Sequence, residues 1–303
     1  MKQLVWLPAV LLLLTSPLAL ASTVTVIVSG LGGNPEYVEK FERYADEVAN
    51  VARAAAESPQ DVILIRGDAA KRNVIMGILE NLPVSNNSDV FLLYLIGHGS
   101  YDGEQYKFNI PGPDITGDEI VSVLENIESP KQLVVVATSA SGALLDVLEK
   151  PNRVVITATK NAREKNAVQF PQYMIEALSD IGADTNKDES ISAEEMFNYA
   201  DNAVTSYFDT EKLLASEHPR LQGNIAAEIE VARYGTLLQR KDSISPELLT
   251  KRQSLSSEIT ALRARKDDVD EDTYFDQLQS LMLELTAVQR SIDEGGGQNN
   301  ASQ

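Results

Sequence analysis

The chain has 303 residues, with 45 Asp and Glu against 26 Lys and Arg, a formal net charge of −19, two histidines and no cysteine. Phosphate backbones are bound by clustered Lys and Arg, so this balance excludes a nucleic-acid partner and favours cations. With no cysteine there is no disulfide framework, and stability has to come from a hydrophobic core.

The elements follow in chain order. Residues 1–21, MKQLVWLPAVLLLLTSPLALA, carry Lys2, an apolar run and the small-x-small end Ala19-Leu20-Ala21, which is the pattern of a secretory signal peptide cleaved before Ser22. The run is broken by Thr15, Ser16 and Pro17 and falls short of the roughly 20 apolar residues of a spanning helix. The expected location is therefore outside the cytoplasm, periplasmic or secreted, with no membrane span in the mature chain.

Residues 22–240 read as one α/β domain. The runs TVTVIVS, DVILIRG, DVFLLYLIGHGS, QLVVVATSASG and RVVITATK alternate with amphipathic stretches such as EYVEKFERYADEVANVARAAAE and TGDEIVSVLENI. Runs apolar on both faces suit parallel strands covered by helices on both sides, so the pattern predicts five strands in one sheet. Gly30-Leu31-Gly32-Gly33 follows the first strand, but Pro35 stands where a dinucleotide fingerprint needs its third glycine, and no organic cofactor is expected.

After Asn161 the texture turns to helix and loop. DTNKDESISAEE places Asp184, Asn186, Asp188, Ser190, Ser192 and Glu195 at positions one, three, five, seven, nine and twelve of an EF-hand-like calcium loop, residues 184–195. Glu189 occupies the sixth position, where such loops carry glycine, so weak calcium binding is the expectation and an acidic loop capping the next helix is the alternative. Residues 241–294 read as an antiparallel helical hairpin or coiled coil. It starts at Ser245-Pro246-Glu247, with Leu248, Leu255, Ile259 and Leu262 on one arm and Tyr274, Leu278, Leu281, Leu285, Val288 and Ile292 on the other. It packs on itself or on the domain, or it binds a protein partner. Residues 295–303 read as a disordered tail.

Ligands of open parallel sheets bind where loops meet at the carboxyl ends of the strands. The third strand ends in Gly97-His98-Gly99-Ser100 and the fourth in Thr138-Ser139-Ala140-Ser141-Gly142, so neighbouring strands would bring a base and a hydroxyl nucleophile to one edge among small residues. YLIGHGSYDG followed by VVVATSASGAL resembles the paired motifs of the legumain-like peptidases, and most nearly an exported bacterial branch with serine in place of the catalytic cysteine. The resemblance covers about Thr23 to Asn202. It implies a caspase-like three-layer α/β sandwich with a mostly parallel sheet and a peptide or protein as substrate or ligand. It further implies His98 as general base, Ser139 in the nucleophile position, and the amides of Gly99 and Ser139 as oxyanion hole. Ser100, Ser141 and Gly142 would lie along the substrate, with Glu36 near the place of the residue that orients the histidine. The acidic residue of the family motif falls on Ala137. A thiol has a pKa near 8.5 and ionises beside a histidine, whereas a serine hydroxyl must lose its proton during attack. Two readings stay open: a peptide hydrolase, and an inactive pseudopeptidase that holds peptides or proteins. His218, in SEHPRLQG, reads as a surface-loop residue.

Overall fold

The computed structural model describes residues 23–56, 58–82, 90–233 and 270–297, together with individual positions between 248 and 266. The expected signal peptide and residues 298–303 lie outside the described residues. In chain order the strands are β1 Thr23–Ser29, β2 Val62–Ile65, β3 Val90–Ile96, β4 Gly99–Tyr101, β5 Tyr106–Phe108, β6 Ile115–Thr116, β7 Lys131–Ala137, β8 Arg153–Thr157, β9 Ser190–Ser192, β10 Arg220–Gln222 and β11 Glu230–Arg233. The helices are α1 Pro35–Ala55, α2 Arg72–Glu80, α3 Gly117–Glu125, α4 Phe170–Ser179, α5 Ala193–Thr210 and α6 Glu271–Gly297.

The main sheet has six strands in the order β10-β8-β7-β3-β1-β2. The five apolar runs form its parallel strands, and β10 closes one edge antiparallel to β8. Side chains alternate between its faces. Leu92, Tyr94 and Ile96 of β3 pack under α1, α4 and α5, while Phe91, Leu93 and Leu95 pack on the side of α2 and α3. This is the expected three-layer α/β sandwich. The short sheets β4-β5-β6 and β9-β11, like β10, add to the five strands expected. At two to four residues each, they are too short to show a hydrophobic period in the sequence.

One buried cation ties the bottom of the sheet to its neighbours. Arg153, 1% exposed at the start of β8, donates to Gln132 Oε1 at 2.8 Å, to the Leu148 carbonyl at 3.0 Å and to the Leu124 carbonyl at 2.9 Å. The hairpin arms meet through Leu255 and Val288, with Leu248, Leu281 and Leu285 against them, in a cluster separate from those of the sandwich. Helix α6 runs on through Gly297, three residues into the expected tail. Among the described residues no helix is long and apolar enough to cross a membrane.

Candidate functional site

Strands β3 and β7 are hydrogen-bonded neighbours in register Ile96↔Ala137, so the segments that follow them leave the same sheet edge side by side. That places His98 and Ser139 together at this edge, as their sequence positions predict. Their side chains are engaged elsewhere.

His98 stands two residues beyond Ile96, and strand alternation carries its ring to the α1 face. There it meets the edges of Tyr37 and Phe41, one helical turn apart on α1, at centroid distances of 4.7 and 4.9 Å. Burial against these rings lowers the His98 pKa, and a hydrogen bond to the Gly32 carbonyl opposes that shift without reversing it. A carbonyl only accepts, so the bonded ring nitrogen carries the proton and the other holds a lone pair. Glu36 lies exposed in the first turn of α1, and among the described residues no hydrogen bond joins it to His98. The orienting contact comes from the backbone of Gly32, which is buried where a Cβ would overlap the α1 backbone at Tyr37 and Val38. The i, i+4 spacing of Tyr37 and Phe41 is visible in the sequence; that both close on a histidine is not.

Ser139 is 3% exposed and its Oγ donates to the Gly99 carbonyl at 3.1 Å. Behind it, Tyr106 Oη and Thr138 Oγ1 are 2.7 Å apart, and Thr138 Oγ1 donates to the Ser139 carbonyl at 3.1 Å. Gly99 allows this packing, since a Cβ there would fall on the Ser139 carbonyl. Ala140 follows with φ 55°, a left-handed conformation uncommon for a residue with a side chain, and its amide donates to the Glu164 carbonyl at 2.8 Å. Ser141 is fully buried, with its Oγ 3.2 Å from Thr159 Oγ1, and Gly142 donates its amide to the same Thr159 hydroxyl at 2.9 Å. Both serve the turn. Ser100 Oγ accepts from Asn109 at 3.2 Å, and Lys165 reaches from the segment after β8 to the Tyr101 carbonyl at 3.1 Å.

His218 belongs to a cluster rather than to a free surface loop. Its Nδ1 lies 2.5 Å from Glu164 Oε1 and its amide donates to Glu164 Oε2 at 3.1 Å, with Lys160 Nζ 3.3 Å from the same ring nitrogen. Glu217, beside it, caps α4 through the amides of Gln169 and Phe170, each at 2.7 Å. Glu164 therefore links this cluster to the turn after Ser139.

The loop at residues 184–195 makes its reversal with left-handed backbone at Lys187 (φ 61°) and Glu189 (φ 66°), although neither is glycine. Asp184 accepts from the amides of Lys187, Asp188 and Glu189. Asp188 accepts from Ser190 and from Asn186 Nδ2, and Glu195 accepts from Thr185, Asn186 and Ser192, forming a capping box with Ser192 on α5. Among the described residues no group of three or more His, Cys, Asp or Glu side chains is gathered to hold a metal ion. The oxygen donors suit calcium in kind and spacing, but these carboxylates face loop amides.

Comparison with known families matches residues 58–246 to the peptidase C13 family. No curated protein matches. Among solved structures, the crystal structure of caspase-1 from Spodoptera frugiperda aligns with a TM-score of 0.46 at 11% identity, over 70% of this chain and 90% of that one.

Proposed function

The chain belongs to the peptidase C13 family, and we propose that it holds peptide or protein segments at the carboxyl edge of its sheet without cleaving them. The observation that carries this reading is the Ser139 hydroxyl, nearly buried and donating to the Gly99 carbonyl. A serine attacks a carbonyl only as a base removes its proton, and the base must be within hydrogen-bond reach. Among the described residues no hydrogen bond joins Ser139 to His98, and the chain has no cysteine to supply a thiolate instead.

The purified chain should cleave no member of a peptide library while retaining some members on a column. Cleavage lost in Ser139→Ala would overturn this reading. It would favour a serine hydrolase, which has one observation in its support: burial lowers the His98 pKa, which favours the unprotonated ring that a general base requires. In that case Ser139→Ala and His98→Ala would each abolish about as much turnover as the pair together, since members of one catalytic unit are not additive.

The proposal includes export, supported by the leader-like residues 1–21. Exported material should begin within a residue or two of Ser22. It also includes calcium at residues 184–195, supported by the spacing of the oxygen donors. The ion would have to draw Asp184, Asp188 and Glu195 away from their present amide partners, which is a reason for weak affinity.

A further inference from the structure

We propose that the C-terminal hairpin is a homodimerisation element, pairing with the hairpin of a second copy of this chain to form a four-helix bundle. The hairpin builds its own apolar cluster, from Leu255, Val288, Leu248, Leu281 and Leu285, separate from both faces of the sandwich. Two helices alone leave one side of such a seam open, and segments this small without disulfides gain stability mainly by association.

The open side is visible on α6. Phe275 and Met282, one heptad apart, flank the buried Tyr274 and the seam residue Leu281 and are 46% and 44% exposed. Leu278, between them, is only half-buried. The apolar arc of α6 is therefore wider than its contact with the first arm uses, as for a helix with two helical neighbours.

Charge identifies the neighbour. Among the described residues of the first arm, Lys251, Arg265 and Lys266 outweigh Glu258. In the second, Asp276 and Glu284 face no basic residue of their own helix among the described side chains. Among the described residues the arms exchange one ion pair, Lys251–Glu284 at 3.8 Å, with both side chains more than half exposed. A two-fold axis along the bundle sets each basic arm between two acidic arms, and each acidic arm between two basic ones, and in that arrangement the surface is complementary to itself.

Sedimentation equilibrium of the purified chain tests this, with Phe275→Glu/Met282→Glu and the uncharged Phe275→Gln/Met282→Gln as variants. The parent should show a monomer–dimer equilibrium in the micromolar range. Both variants should be monomers with the parent's sandwich melting transition by circular dichroism, because the replaced side chains lie outside the hairpin seam. A parent that stays monomeric throughout that range overturns the proposal. So does a dimer that persists in both variants, which would place the interface elsewhere.

Discussion

Glu217 offers a sharp test of the electrostatics beside the site. Its carboxylate is 3% exposed and caps α4 through two amides, at a helix whose N-cap residue, Gln169, supplies no side-chain cap. Burial pushes its pKa from 4.5 up to about 7; the two amides and Lys40 pull the other way, and Glu164 adds to the rise. A folded-state pKa above the unfolded one means that the native chain holds this proton more tightly. The stability it contributes is full below pH 4.5, declines as pH rises, and is gone above pH 7. The gap corresponds to about 3 kcal/mol, of which about 2–3 kcal/mol falls between pH 5 and pH 8. Glu217→Gln keeps one acceptor for the helix amides and removes the titration, at a pH-independent cost of about 1 kcal/mol for the weakened cap. Urea unfolding of both proteins, followed by far-UV circular dichroism, gives the difference with other titrating groups cancelled. The parent's advantage over the variant should shrink by that 2–3 kcal/mol as pH rises. An advantage that is flat or grows with pH would refute the reasoning, because the helix amides would then outweigh desolvation.

Arg153→Met should cost about 3–5 kcal/mol in the same urea assay, since it leaves Gln132 Oε1 and the Leu148 carbonyl unpaired in the core and takes one of its donors from the Leu124 carbonyl; a loss below about 1 kcal/mol would mean that water or repacking replaces them. Millimolar-scale calcium should raise the melting temperature of the parent and not that of Asp184→Ala/Glu195→Gln. An unchanged parent melting curve would leave the loop as a hydrogen-bonded cap on α5. Truncation before Ile244 should leave a sandwich that unfolds cooperatively, because its two clusters close without the hairpin, and loss of cooperativity would show that the hairpin covers it.

The sequence discloses the parts of this molecule that depend on local pattern. The five parallel strands are legible because each is a continuous apolar run, and strand adjacency then brings the segments with His98 and Ser139 to one edge. β10 is not legible, because Arg220-Leu221-Gln222 is strand only through its pairing with β8. The orienter of His98 is not legible either. A backbone carbonyl leaves no residue-type signature, so the sequence points to the acidic Glu36 where the structure uses Gly32. Ser141 is legible as a turn residue, whereas its partner Thr159 comes from the segment after β8 and is known only from the tertiary structure.

What separates holding a peptide from cutting one is where the hydroxyl protons go. Here Ser139 donates to Gly99, Thr138 to Ser139, and the Ser141 hydroxyl adjoins Thr159, so these hydroxyls have partners within the protein. Freeing Ser139 for attack would cost its hydrogen bond, about 1 kcal/mol net, and would require movement in a turn already strained at Ala140 and anchored by Glu164. The His98 ring is held against Tyr37, Phe41 and the Gly32 carbonyl, and among the described residues no hydrogen bond joins it to Ser139. These restraints act together on neighbouring segments, and loosening one does not release the others. The glycines are engaged as well: a Cβ on Gly99 would meet the Ser139 carbonyl and one on Gly142 the backbone of Lys160 and Asn161, so their small size serves the packing of the turn. An arrangement that restrains its hydroxyls in this way fits the proposed holding of a peptide better than the cutting of one.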